Sequence, residues 1–340
     1  MLRLDSIKIL APMDTLIEYD TKHFKEKKEV ENGLLMSDTL TTQNIDFGFN
    51  RFVIDKKANN VVIEVSAKLL KDDYAQGINI DTFEQVISNI NASKRVKIDA
   101  SRIYNTGQLL RADVTDNIKM DCYKGTDLYT DLACIPLQPK YDITPYGKAT
   151  ANRTGLVFKG KQKTFKERVI LYDKSIELQS TALGNAFLNS INRSKLLNSF
   201  KHTYRVEGNF TQLKTIRKYI GSNQLSDVLA SNEKVNYKLF KKITSCANIN
   251  TLTLFDKYEG MTWRAIKERQ GIEGLINSAE YNWQYIEMLI RKYNGSNYRR
   301  ERIKFKKVFN ELINSKLKHS DIKTNTSVID LFLTELLNVA

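Results

Sequence analysis

The chain has 340 residues, 41% of them hydrophobic and 27% charged, with a net charge of +14. That length suits two domains or one large domain with an appendage, and no apolar run approaches the roughly 20 residues of a membrane-spanning helix. Three widely spaced cysteines (Cys122, Cys134, Cys246) and three scattered histidines (His23, His202, His319) argue against a disulfide framework, a zinc knuckle or an imidazole-based metal site.

Met1 to Leu10 alternates like a strand and carries charges inside its apolar run. It makes a poor signal peptide, which points to a cytoplasmic protein. Phe47 to Ile54 alternates likewise, and Asn60 to Ser66 is a compact β-branched run. Ile80 to Ile90 has helical spacing behind an Asp81 cap. Strand-like blocks follow at Arg95 to Ala100 and Leu109 to Ile118. Three of the four prolines crowd Cys134 to Gly147, which reads as an irregular loop. Gly155 to Gly160 and Arg168 to Tyr172 read as two strands joined by a basic turn. Helical spacing begins near Ser175, Thr203 to Phe210 returns to a strand, and Gln212 to Ile220 is helical. Beyond about Ser226 the pattern is nearly all helical, which sets a soft boundary between residues 1–225 and 226–340.

Within this frame some residues carry chemistry. Arg111, Asp113 and Thr115 alternate, so on a strand they share one face. A carboxylate and a hydroxyl so placed can hold Mg²⁺ or Mn²⁺, or simply form a solvated polar face. Glu64 interrupts an apolar run and must be exposed, paired or bound to a metal, since an unpaired buried charge costs several kcal/mol. Arg205 and Glu207 also alternate: they can pair across strands, or Glu207 can join a metal site while Arg205 grips a phosphate. Tyr172 ends an apolar run, with Lys174 and Glu177 just after it. It is either a packed aromatic or a nucleophile whose anion Lys174 stabilises, with Glu177 on that lysine or on the metal. In the last third, Arg299, Arg300, Arg302 and Lys304 are interleaved with aromatics, a pattern suited to a phosphate backbone with stacked bases. A helix-turn-helix with its turn near Gly271 is one arrangement of that region, and an ordinary helical domain with a basic face is the other.

Taken in order, these segments resemble the replication-initiator endonucleases of filamentous phages, the gene II product family, a divergent branch of the rolling-circle initiators. The likeness rests on Val62-Ile-Glu64-Val-Ser66, Gln76-Gly77-Ile78-Asn79, Arg111-Ala-Asp113-Val-Thr115, Tyr172-Asp-Lys174-Ser-Ile-Glu177-Leu-Gln179 and Arg205-Val-Glu207, and covers most of residues 1 to 230. Ile78 stands where the family's turn has a histidine, so no duty of that position carries over.

The resemblance implies an α+β catalytic domain on an antiparallel sheet, related to the HUH nucleases, with flanking helices and a helical, basic C-terminal region. It implies nicking and rejoining of one strand at a replication origin through a 5′-phosphotyrosine. Tyr172 would be the nucleophile and Lys174 its support. Asp113, Glu64, Glu207, Thr115 and Glu177 would serve around Mg²⁺ or Mn²⁺, and Arg111, Arg168, Arg205, Arg299, Arg300, Arg302 and Lys304 would lie along origin DNA. The chain has no Gly-x-x-x-x-Gly-Lys-Ser/Thr loop, so a host helicase, with a polymerase, would act beside it. A conjugative relaxase and a non-catalytic DNA-binding replication protein are the competing readings. The nicking reading expects the Tyr172 oxygen near Asp113 and open to DNA.

Overall fold

The computed structural model describes residues 1–31, 34–42, 47–120, 126–133, 137–146, 155–162, 167–244, 263–319 and 325–339. All three cysteines lie outside them. The fold is α+β. Ten strands form one antiparallel sheet in the order β3-β4-β5-β6-β1-β8-β12-β11-β10-β9. They are β1 (Leu4–Pro12), β3 (Phe24–Glu31), β4 (Leu34–Thr42), β5 (Phe49–Asp55), β6 (Asn60–Ser66), β8 (Gln108–Lys119), β9 (Tyr141–Tyr146), β10 (Gly155–Gly160), β11 (Arg168–Asp173) and β12 (Thr203–Phe210). A small second sheet pairs β2 (Leu16–Tyr19) with β7 (Val96–Ile98).

The central strands come from the segments with the clearest two-residue alternation, and this explains their place. Ile63, Val65, Leu109, Ala112, Val114, Val206 and Phe210 are all fully buried, as half-buried strands require. Helices α7 (Leu213–Ile220) and α9 (Val235–Thr244) pack on that apolar side, with Phe210 against Tyr219 and Phe158 against Phe240. On β8, Asp116 points to this side as its register demands, and accepts a hydrogen bond from Asn236 Nδ2 at 2.9 Å. Helices α1 (Phe83–Ala92), α2 (Ala100–Thr106) and α8 (Leu225–Leu229) complete the setting of the N-terminal half. The opposite side is polar. Over its centre lie a 3-10 run (Ala67–Gln76) and helices α4 (Lys174–Ser180), α5 (Ala182–Asn189) and α6 (Arg193–Ser199), whose Tyr74, Phe187 and Phe200 form an aromatic lid. Helix α4 begins where it does because Asp173 accepts from the Ile176 N–H, an N-cap that turns the chain sharply after β11.

Two elements depart from the sequence reading. The supposed irregular loop contains β9, with Pro145 inside it opposite Leu156. Pro lacks the N–H a central strand needs, but β9 is the sheet edge, where that donor is not required. The β3–β4 hairpin lies where no element is expected from the sequence; β3, with Lys25-Glu-Lys-Lys-Glu29, is the other edge, where such charges deter foreign strands.

Two compact units divide the chain. The first comprises residues 1–125, 140–243 and 333–340, so α8 and α9 belong with the sheet although the all-helical pattern starts before them. The second comprises residues 126–139 and 244–332. It includes α3 (Thr126–Ala133), α10 (Trp263–Ser278), α11 (Trp283–Asn294) and α12 (Tyr298–His319), with α13 (Asn325–Asn338) running on from it. Ile276, Ile286, Ile290, Phe309 and Leu312 form a core there. Gly271 lies inside α10, so the turn expected at Gly271 falls instead at residues 279–282. Among the described residues no helix is long and apolar enough to cross a membrane.

Candidate active site

The polar side of the sheet gathers the residues that alternation had placed on one face. Cross-strand register sets Tyr172 opposite Arg205, Arg205 opposite Asn117, Glu207 opposite Thr115, and Asn209 opposite Asp113. Tyr172 donates a hydrogen bond to Glu207 Oε2 at 2.9 Å, and Lys174 Nζ reaches the same phenolic oxygen at 3.4 Å. Lys174 also pairs with Glu177 at 2.8 Å, one helical turn along α4. Gly155 faces Tyr172 on β10: a Cβ there would lie 2.1 Å from the Leu171 carbonyl oxygen. That small residue leaves room for the Tyr146 ring to lie over Tyr172, centroids 4.9 Å apart.

Beside this triad sits a second knot. Arg205, 1% exposed, donates to Asp5 Oδ1 at 2.7 Å, to the Tyr74 hydroxyl at 3.0 Å and, through Nε, to Asn117 at 3.0 Å. Tyr74 donates in turn to Asp5 at 2.8 Å. The guanidinium carbon lies 5.2 Å from the Tyr74 ring centre and 5.1 Å from that of Phe200, and the Lys174 ammonium lies over both Tyr74 and Tyr172. The phosphate contact expected of Arg205 is therefore replaced by partners inside the protein.

Burial dominates the electrostatics. It pushes the Glu207 carboxyl up to about 7, with Asp5 and Asp113 adding repulsion and Lys174 opposing. It also lifts the Tyr172 phenol well above its ordinary value, helped by Glu207 and resisted by Arg205. Burial works to raise Asp5 as well, but Arg205 and then Lys174 outweigh it and hold that carboxyl down. The result is a neutral phenol hydrogen-bonded to a carboxylate that titrates near neutrality, a pairing suited to proton transfer.

Other expected residues lie apart from this pair. Asp113 is two strands from Tyr172 and four residues along, ~16 Å between Cα atoms by strand spacing and rise. The expected approach of the Tyr172 oxygen to Asp113 is not seen; Glu207 stands between them. Asp113 accepts from Arg111 at 2.8 Å and from Asn209, and burial raises its pKa against the pull of Arg111. Arg111 reaches Glu64 at 3.6 Å, so Glu64 resolves as a paired charge. Thr115 is buried at 2%. Glu64, Asp113, Glu207, Glu177 and Thr115 are thus not drawn into one ligand set. Among the described residues no group of three or more His, Cys, Asp or Glu is arranged to hold a metal. Arg168 lies on the Tyr172 face of β11, partly buried. Sequence reasoning missed Asp5, Tyr74, Asn117, Asn209 and Tyr146. Asp5 left a signal as an acid inside an alternating strand, and Asn117 and Asn209 as polar residues that continue the alternation of Arg111–Thr115 and Arg205–Glu207.

In the second unit, Arg302 pairs with Glu287 at 2.6 Å, and Lys304 pairs with Glu268 at 2.5 Å and Glu301 at 3.4 Å. Arg299 and Arg300 are exposed. The basic face there is half neutralised by its own acids.

No family model matches the chain, and no curated protein matches it. Among solved structures it is similar to the rolling circle replication initiator protein from Geobacillus stearothermophilus, with a TM-score of 0.35 and 9% identity over 78% of this chain and 95% of that one. Similarity at that level decides neither family nor activity.

Proposed function

We propose that this chain nicks and rejoins one DNA strand to start replication, as a gene II-type initiator, with Tyr172 as the nucleophile. The observation that carries the reading is the Tyr172 hydroxyl held at 2.9 Å from Glu207 and 3.4 Å from Lys174. In the step proposed, Glu207 takes the phenolic proton as the Tyr172 oxygen bonds to phosphorus. The P–O3′ bond breaks, leaving a 5′-phosphotyrosine and a 3′-oxygen that gains a proton and can prime synthesis. Lys174 offsets charge developing on the phosphoryl oxygens. Reversal of the same step rejoins the strand without ATP.

The carboxylates, each engaged by a cation, hydroxyl or amide, do not fit a divalent-cation site as arranged, so no step runs through a metal. Tyr172 is 2% exposed, so reaction requires side chains packed on it, the Tyr146 ring among them, to move aside. The same burial favours the second reading, in which Tyr172 is structural and the chain binds DNA without cutting it. One experiment separates them. The protein is incubated with supercoiled plasmid carrying DNA from around its own reading frame, with Mg²⁺, Mn²⁺ or EDTA, and protein-linked 5′ ends are mapped by mass spectrometry. An adduct on Tyr172, lost in Tyr172→Phe while DNA binding persists, is the expected result. Undiminished adduct in Tyr172→Phe removes Tyr172 from the mechanism, and no adduct under any condition leaves the binding reading.

A further inference from the structure

Next to the Tyr172 cluster, on the far side of the aromatic lid, the first unit holds a cavity of about 390 Å³ with mixed walls. Phe47 and Phe187 line it, their rings meeting edge to face at 6.0 Å, and Phe47 is 40% exposed. Lys68 and Lys71 line it too, and the Lys68 ammonium lies 5.5 Å from the Phe187 ring centre. Asn89 and Ser190 supply polar walls. The Asn89 amide donates to the Leu69 carbonyl at 2.7 Å, which leaves its oxygen as an acceptor, while the Ser190 hydroxyl donates to the Phe187 carbonyl at 2.7 Å and can still accept. We infer that this cavity is a nucleobase subsite, taking one unpaired base of single-stranded DNA on Phe47 with its phosphate between Lys68 and Lys71.

Four observations support this. An aromatic ring half open to solvent inside a concave site is a stacking platform for any base. The volume is that of a small-ligand pocket. Lys68 is charged at a cost: burial lowers its pKa and Lys174 lowers it further, against the pull of Glu177 and Asp5, and the negative charge of an incoming phosphate favours the ammonium. The backbone is shaped for the cavity, because Gly48, at φ +90°, lets the chain before Phe49 pass so close to Leu69 that a Cβ would lie 2.4 Å from its nitrogen. Lys71, at φ 54°, breaks the 3-10 run at the cavity rim, an uncommon conformation for a side-chain-bearing residue.

The cavity adjoins the proposed nucleophile through one shared wall. Phe187 packs on Tyr74 at 5.4 Å between ring centres, and the Lys174 ammonium lies 5.4 Å from the other ring neighbour, the Tyr74 centre. The Phe47 cavity and the Tyr172 cluster are thus neighbours, and in this proposal one DNA strand engages both. This placement rests on the nicking reading, whereas the binding itself does not.

The test uses the full chain carrying Tyr172→Phe, so that binding is read apart from chemistry, with fluorescein-labelled dT12 followed by anisotropy. Stacking tolerates any base, so a thymidine oligomer suffices as probe. Phe47→Ala, at an exposed position that leaves the core intact, should weaken dT12 binding about 5- to 150-fold, the range for one lost base stack. Lys71→Gln should lower the slope of log affinity against log salt by about 0.7, as for one phosphate contact to a single strand. A dT12 carrying 5-iododeoxyuridine should photo-cross-link to Phe47 or to the Asn89 wall. Unchanged affinity in Phe47→Ala, no binding of dT12 by the parent, or a cross-link confined to other residues overturns the proposal. So does thymidine monophosphate competing as tightly as dT12 binds, since the cavity would then serve free nucleotides. An adduct that survives Tyr172→Phe breaks the nicking reading alone and leaves the Phe47 result standing.

Discussion

Glu167, just before β11, and Glu207, on the neighbouring strand β12, are two sequestered carboxylates that the fold treats in opposite ways. Glu167, 5% exposed, sits just before β11 and accepts hydrogen bonds from Tyr219 at 2.7 Å, Tyr141 at 2.5 Å, Lys218 at 2.6 Å and Lys242 at 2.6 Å. Burial works to raise it, and those four donors outweigh burial and hold the carboxyl at about 2. Glu207 has one hydrogen-bonded partner of this kind, Tyr172, and burial lifts it to about 7. Desolvation acts on both; the number of donors decides the sign. A saturated carboxylate is a fastener. One left short of donors near neutral pH is placed to accept a proton, which is why Glu207 and not Glu167 belongs to the proposed chemistry.

The comparison breaks if the two glutamates respond alike to substitution. Glu207→Gln keeps an oxygen that can accept from Tyr172 but removes the base, so nicking should fall by about 10²–10⁴-fold, while stability at neutral pH should rise by about 1–3 kcal/mol because the amide carries no buried charge. Plasmid nicking and a urea titration on the same preparation measure both. Glu167→Ala strands two buried phenols and two ammonium groups, and should lower stability by about 2–4 kcal/mol, read as a fall in urea midpoint with unchanged slope. Loss of nicking in Glu167→Ala at temperatures where it stays folded would put Glu167 in the chemistry and cancel the distinction.

How far this contrast was legible beforehand depends on distance along the chain. Glu207, Thr115 and Asp113 could be placed on one sheet face because alternation is local: each strand reports its own two faces. The strand segments and the helix after Tyr172 follow from the same local pattern, whereas the antiparallel sheet was implied by the resemblance. What alternation does not carry is the partner. Arg205 meets Asp5 across a separation of 200 residues, and Lys242 meets Glu167 across 75. No spacing rule links such pairs, so at Arg205 an ion pair and a phosphate contact read equally well, and Glu167 carried no signal. Tyr74 was invisible for a different reason: it lies on a 3-10 run, whose short, irregular period leaves no hydrophobic pattern to read.

A smaller effect sharpens the comparison through pH. Glu207 has a raised folded-state pKa, so its contribution is fully present below the unfolded value of about 4.3 and is lost as pH rises through about 7. Glu167 is depressed, so its contribution is present above about 4.3 and is lost as pH falls toward about 2. Between pH 7 and 4.5, wild type should therefore gain on the order of 1–3 kcal/mol relative to Glu207→Gln. Urea midpoints of the two proteins across that window should converge toward acid. A constant difference would mean that Glu207 titrates at its ordinary value.

The smallest expected effect tests whether the Glu167 cluster has redundancy. Lys218 pairs with Glu167 at 2.6 Å, but its side chain is 50% exposed. Solvent screens such a pair, and ordering a long side chain offsets part of the attraction. Lys218→Met removes the ammonium, with its contact to the Tyr219 ring, at similar side-chain length and leaves Glu167 with Lys242, Tyr141 and Tyr219 as donors. The expected loss is about 0–1 kcal/mol, and it should shrink further in high salt. A loss as large as that of Glu167→Ala would show that the carboxylate depends on its most exposed partner. The count of donors would then no longer explain why Glu167 stays ionised far below the pH at which Glu207 takes up a proton.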